Sequence, residues 1–283
     1  MKHALAKYIA GLLLFGSNGV VAGFIDLPSH DIVLLRSLLG GILLVAILLA
    51  REGTAALRGA PRDAFFVCLS GVAMAADWLL LFEAYARIGV SLGMIVNYCG
   101  PVLVVLLSAL VLRERITART ALALAMALAG AVLISWQGVR GGVDRTGLAL
   151  AVLSAFAYAA MIVLNKLSVT MTGTRNAALQ LLATLAVVAI YVGARHGLRP
   201  SVPPGSWLPV LWIGLANTGL GCWFYFSAVS ALPAQTVAVC GYLEPLSAVV
   251  FAMLVLGERM LPMQIAGALL ILAGSLLLRK KSH

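Results

Sequence analysis

Asn97-Tyr-Cys-Gly-Pro-Val-Leu-Val-Val-Leu-Leu-Ser-Ala-Leu-Val-Leu-Arg-Glu-Arg115 returns later in the chain as Gly241-Tyr-Leu-Glu-Pro-Leu-Ser-Ala-Val-Val-Phe-Ala-Met-Leu-Val-Leu-Gly-Glu-Arg259. Position 97 pairs with 241 and 115 with 259, an offset of 144 throughout. Tyr98 matches Tyr242, Pro101 matches Pro245, Glu114 matches Glu258 and Arg115 matches Arg259. Apolar coincidences carry little weight in so apolar a chain. A Tyr-x-x-Pro followed at fixed distance by Glu-Arg is specific, and it marks an internal duplication. The same offset joins Phe82 to Phe226 upstream and Leu128-Ala129-Gly130 to Leu272-Ala273-Gly274 downstream.

Outward from these stretches the chain stays apolar. Of its 283 residues, 62% are hydrophobic and 11% are charged, where a soluble domain carries about 45–50% and about 25%. Only lipid can take up that much apolar surface. A helix needs roughly 20 apolar residues to cross a bilayer. Ten runs fit that length approximately: 4–24, 31–50, 64–86, 91–112, 119–136, 147–166, 176–194, 207–230, 234–256 and 263–278. The first follows Lys2 and Lys7 as a signal peptide would, but the second half of the chain opens in the same way, so it reads as a retained span. The expected fold is an all-α membrane protein of ten transmembrane helices in two five-helix repeats, 1–140 and 141–283. Five is odd, so the second repeat enters the membrane inverted, the architecture of many secondary transporters.

Ten spans put both termini on one side. That side collects Lys2, Lys7, Arg51, Arg58, Arg62, Arg113, Arg115, Arg119, Lys166, Arg175, Arg279, Lys280 and Lys281, thirteen cations against six opposite, with Arg36 inside a span. The excess places both termini in the cytoplasm of a cell bounded by a bacterial inner membrane. The net charge of +10 then reflects topology and contact with anionic membrane lipids, and nucleic acid is not an expected partner.

The residues resemble a known family, the ten-helix branch of the drug/metabolite transporter superfamily with tandem EamA domains. The resemblance rests on Phe15-Gly16-Ser17-Asn18, on Arg36, on the two span-ends Leu-Val-Leu-x-Glu-Arg and on Gly241-Tyr-Leu-Glu-Pro245. Phe15 departs from the Trp that the family often carries there. The resemblance implies secondary transport, frequently export of amino acids or related metabolites. It also implies a central cavity lined by spans 1, 3, 4, 6, 8 and 9, with spans 5 and 10 as scaffold. It does not name a substrate.

Ionisable groups at membrane depth cost about 2.5–3.5 kcal/mol on insertion scales and so mark candidate sites. Asp77, in the third span, reads either as a substrate or proton site or as a partner of Arg36. Glu244 precedes Pro245, where a proline frees backbone carbonyls, and its counterpart in the first repeat is the neutral Gly100. Arg36 reads as a structural partner of one of these carboxylates, and Pro101 and Pro245 as bends that act as gates. Asn18, Trp78, Asn97, Tyr98, Tyr158, Asn217, Trp223 and Tyr242 complete the expected substrate-binding set as hydrogen-bonding groups and aromatic walls. Ala- and Gly-rich spans 5 and 10 read as close packing in a scaffold or dimer.

No Gly-x-x-x-x-Gly-Lys-Ser/Thr and no His-Glu-x-x-His occurs, and His3, His30, His196 and His283 lie at termini or in loops, so neither P-loop ATP hydrolysis nor a zinc or Ser-His-Asp constellation is indicated. Cys68, Cys99, Cys222 and Cys240 form no CxxC pair, and no metal or cofactor is expected. The expected function is alternating-access transport of a small-molecule substrate by a monomer or homodimer, with protons as the coupling ion, and export of amino acids or related compounds. Export of cationic drugs or polyamine-like compounds is the alternative, and a lipid-modifying membrane enzyme is the rival of another class. Tags inserted after Gly141 and at His283 should report from opposite faces of the membrane. Accessibility from the same face would remove the inverted repeat.

Overall fold

The computed structural model describes residues 2–53, 60–88, 90–135, 144–195, 197–198, 200–257 and 261–279. Helices account for nearly all of them: α1 Lys2–Gly16, α2 Asn18–Ala22, α3 Ser29–Glu52, α4 Pro61–Ile88, α5 Val90–Asn97, α6 Gly100–Val111 and α7 Ala118–Ser135. They continue as α8 Arg145–Leu167, α9 Gly173–Arg195, α10 Trp207–Leu211, a π-helical stretch Trp212–Leu220, α11 Gly221–Val229, α12 Ala234–Gly241, α13 Leu243–Leu256 and α14 Pro262–Arg279. Within the described residues, each of the ten apolar runs lies mainly on helix. Among the described residues, seven helical segments are long and apolar enough to cross a membrane, and Ala118–Leu133 and Pro262–Leu277 are shorter apolar helices. Among the described residues there is no strand.

Element boundaries obey the repeat. Ser29 and Gly173, Val90 and Ala234, and Ala118 and Pro262 open corresponding helices 144 residues apart. Helix ends obey it too. Gly53 closes α3 at φ 64°, and its repeat mate Gly197 has φ 82°. Gly257 follows α13 at φ 69°, and its mate Arg113 follows α6 at φ 55°. The left-handed conformation is easy for glycine and costly for a residue with a Cβ. The two repeats therefore leave their helices alike at Arg113 and Gly257. After the first turn, Glu114 reaches the start of another helix: its Oε1 accepts the Ala234 N–H at 3.0 Å and so caps α12. The matching expectation for Glu258 lies outside the described residues.

Among the described residues four of the runs are interrupted. A turn at Tyr98–Cys99 divides α5 from α6, and Tyr242 divides α12 from α13. Pro101 and Pro245 sit within the first turn after each break and donate no N–H to the preceding carbonyls. The eighth run changes from α to π and back, and Thr218 within the π stretch donates its hydroxyl to the Ile213 carbonyl five residues earlier (2.7 Å). In the first run, α1 ends at Gly16 and Ser17 donates to Leu14 O at 2.7 Å.

The chain divides into two compact units, and each draws on both repeats. The first comprises Met1–Ala75 and Leu164–Leu232. Here α1 packs on α11, and α3 packs on α9 and on the π stretch. A Cβ on Gly40 would stand 3.0 Å from Thr218 Cγ2 and 3.1 Å from Gly214 O, so α3 and the π stretch touch backbone to backbone. Buried amides tie α8 to α9. Asn165 Nδ2 donates to Asn176 Oδ1 (2.9 Å) and Gln180 Oε1 (2.6 Å), and Asn176 Nδ2 donates to Asn165 Oδ1 (2.9 Å) and Phe226 O (3.1 Å). Asp63 opens α4 and holds the α8–α9 turn by accepting from the Thr170 backbone N–H and hydroxyl.

The second unit comprises Ala76–Val163 and Pro233–His283. Its main contact is α7 on α14, the two small-residue helices, which identifies the Ala/Gly faces as scaffold within the chain. A Cβ on Gly130 would collide with Gly267 O and lie 3.1 Å from Ile271 N. One on Gly274 would lie 2.7 Å from Ala123 O and 3.4 Å from Ala127 N. Gly267 and Ile271 are the repeat mates of Ala123 and Ala127, so the contact is reciprocal, as across a two-fold axis.

Arg113→Gly should relieve the left-handed strain and raise stability by about 1 kcal/mol, read as a higher thermal midpoint of the purified protein. The converse, Gly257→Ala, should lower it.

Candidate functional site

In the second unit, polar groups converge on the break between α5 and α6. Asp77, on α4, is 5% exposed. Asn97, the last residue of α5, donates from Nδ2 to Asp77 Oδ1 at 3.1 Å and to Ser154 Oγ at 3.0 Å. Ser154, on α8, passes its own proton to Ala151 O at 2.8 Å. A neutral amide thus orients the Asp77 carboxylate without matching its charge, and among the described residues Asp77 forms no ion pair. Glu244, at the start of α13, is near enough for its charge to act on Asp77, and Tyr85 lies within reach of both.

Aromatic groups gather at the two helix breaks of this unit. The two break residues touch: Tyr242 donates its hydroxyl to Tyr98 O at 2.6 Å, and their ring centroids are 6.2 Å apart. That bond satisfies a backbone carbonyl at a helix interruption, where lipid offers no alternative donor. The Tyr158 ring lies so close to Gly100 that a Cβ there would come within 2.8 Å of it. Gly100, the mate of Glu244, therefore makes room for an aromatic where its counterpart carries a charge. Pro101 and Pro245 are buried beside the breaks, and Trp78 is half-buried next to Asp77.

The remaining expected residues belong to the first unit. Asn217, in the π stretch, is fully buried and donates from Nδ2 to Ser17 Oγ (2.9 Å) and Asn18 Oδ1 (3.0 Å), closing the α1–α2 interruption. Its Oδ1 is buried and has no hydrogen-bond partner among the described residues. Arg36, on α3, donates from Nε to Thr218 Oγ1 at 2.8 Å. Its repeat mate Gln180 makes the corresponding contact to Met74 Sδ, the mate of Thr218, at 4.0 Å. The partner described for Arg36 is thus a hydroxyl in its own unit. Trp223, on α11, donates from its indole to Thr174 Oγ1 at 3.0 Å.

Sequence reasoning missed Ser154 and Tyr85. Both carried a usable signal: Ser154 lies four residues before Tyr158 on α8, and Tyr85 lies on the same helix as Asp77, eight residues on, near the same face. The π stretch Trp212–Leu220 also interrupts the α-helical spacing by which Asn217, Gly221 and Phe224 would share one face.

A family model described as "EamA-like transporter family" matches residues 4–136 and again 145–280. "Uncharacterized transporter YxxF" of Bacillus subtilis is 26% identical over 276 residues, covering 96% of this chain and 88% of that protein. "Aromatic amino acid exporter YddG" of Ancylobacter novellus is 37% identical over 91 residues, 32% of this chain and 31% of its own. A protein crystal structure superposes with a TM-score of 0.86 at 20% identity, over 98% of this chain and 96% of that one, a likeness of fold.

A double-mutant cycle on Arg36→Gln and Thr218→Val should give a coupling of about 0.6–1.7 kcal/mol, the range for side-chain hydrogen bonds within membranes. Additive losses of stability would mean that the Arg36–Thr218 bond contributes nothing.

Proposed function

We propose a mechanism on one premise: the chain belongs to the EamA-like transporter family. On this reading it is a multi-pass secondary carrier, and its ten helices form two repeats, 1–140 and 141–283, of opposite orientation in a bacterial inner membrane. Both termini are cytoplasmic, and the carrier opens its site to each side in turn. The substrate is an amino acid or related metabolite, and the direction is export.

One observation carries the reading. Asp77 is buried at membrane depth, next to a broken helix, and is held by a neutral amide rather than a cation. A carboxylate in that position needs a positive charge, and a substrate ammonium or a transported proton supplies one. Glu244 adds a second carboxylate within the same unit. Asn97, Tyr98, Tyr158, Trp78 and Tyr242 line the surroundings with hydrogen-bonding and aromatic surface, and the breaks beside Pro101 and Pro245 are the pivots. Asn18, Asn217 and Trp223 serve the substrate path from the first unit, with Arg36 as a structural anchor. The stretch shared with an aromatic amino acid exporter supports the amino-acid assignment over cationic drugs or polyamines.

Asp77→Asn should lower substrate uptake into proteoliposomes by at least about tenfold, a loss of roughly 1.4 kcal/mol or more, while the protein still elutes as a monodisperse peak. Glu244→Gln should do the same. Unchanged transport in both variants would remove the carboxylates from the mechanism. Competition by polyamines but not by amino acids would move the assignment to the cationic substrates.

A further inference from the structure

Four helices of the first unit bring two cations onto one indole. Trp223, on α11, has the Arg51 guanidinium carbon 5.1 Å from its ring centroid and the Lys7 ammonium 5.8 Å from it. Arg51 comes from the end of α3 and Lys7 from α1. The indole is fixed: its N–H is bonded to Thr174 on α9 (3.0 Å), and Phe224 stacks beside it with ring centroids 5.2 Å apart and an interplanar angle of 27°.

Each cation gains from the ring quadrupole. The gathering of both has a cost, because like charges within about a Debye length repel. Counter-charge is scarce in the sequence that builds the site. α1, α9 and α11 contain no Asp or Glu at any position. The acidic residues of α3 are Asp31, at its opposite end, and Glu52, whose side chain lies outside the described residues. Lys7 and Arg51 form no ion pair among the described residues. The N-terminus of α9 adds the positive end of a 23-residue helix with no acid in its first turn.

We propose that Lys7, Arg51 and Trp223 form an anion site that takes a phosphate group. The indole and the two aliphatic stems supply an apolar wall, and the cation heads supply charge, an arrangement suited to a phosphodiester flanked by glycerol or acyl carbons. Free phosphate shares the charged part of this chemistry but has nothing to place on the indole. The site shares Trp223 with the proposed substrate path but uses neither Asp77 nor Glu244, and the binding readouts below do not depend on transport.

The test uses the full-length protein in neutral detergent. In one arm, native mass spectrometry measures retention of phosphatidylglycerol against phosphatidylcholine. In the other, inorganic phosphate is added at constant ionic strength and the thermal midpoint is read. The variants are Lys7→Gln with Arg51→Gln, Trp223→Leu, and Arg195→Gln, which removes a cation that stacks on Tyr191 (5.8 Å) at the far end of α9. The lipid arm should show preferential phosphatidylglycerol binding that falls about tenfold in the double variant, falls in Trp223→Leu, and persists in Arg195→Gln. A phosphate-dependent rise lost in the double variant, without lipid preference, would support a free phosphate as the ligand. Equal binding by the double variant and the unaltered protein, an equal loss in Arg195→Gln, or no preference in either arm would overturn the site. Should the double variant fail to elute as a monodisperse peak, Lys7→Gln alone provides the same reading.

Discussion

Hydrocarbon offers no hydrogen bonds, so a chain placed in it must satisfy its own backbone. That constraint accounts for the helices, and it accounts even more for how they are interrupted. Side chains brace the breaks, two of them by bonding backbone carbonyls. Tyr242 donates to the Tyr98 carbonyl at one pair of breaks, and Ser17 donates to Leu14 O at another. Asn217 reaches from the π stretch to Ser17 and Asn18. Interruptions supported in this way persist as structure, and they place polar groups at depths where an unbroken helix would present only its side-chain surface.

Duplication supplied the geometry, and divergence supplied the chemistry. Arg36 with Thr218 and Gln180 with Met74 occupy matching positions, yet one contact is a charged hydrogen bond and the other a weak amide–sulfur contact. Arg113 and Gly257 share a left-handed turn that suits only the glycine. Gly100 admits the Tyr158 ring where its mate Glu244 brings a carboxylate. The reciprocal α7–α14 contact stayed small on both helices because any Cβ at Gly130 or Gly274 meets opposing backbone. Scaffold positions are held to type by sterics, whereas positions at the breaks are free to specialise.

The two compact units specialise differently. The second holds Asp77 and Glu244, with Asn97 bonded to both Asp77 and Ser154. The first holds the buried amides, Arg36, and the cations gathered on Trp223. A carrier in this family needs both a place for charge at depth and a rigid frame, and the polar groups of this chain divide along those lines.

The sequence by itself determined the membrane class, the helical character of its apolar runs, the 144-residue repeat and the candidacy of Asp77 and Glu244. Each of these follows from composition or spacing along the chain: lipid demands long apolar runs, and a fixed offset survives wherever a Tyr, Pro, Glu and Arg recur together. Partners were beyond its reach. Asp77 meets Asn97 twenty residues on and Arg36 meets Thr218 182 residues on. The π stretch shifts Asn217 off the face that α-helical counting assigns it, and Lys7, Arg51 and Trp223 come from three separate helices. Only tertiary structure decided these, because in a chain with so few polar groups the choice of partner depends on which helices pack against each other. Apolar sequence, alike on every face, does not encode that choice locally.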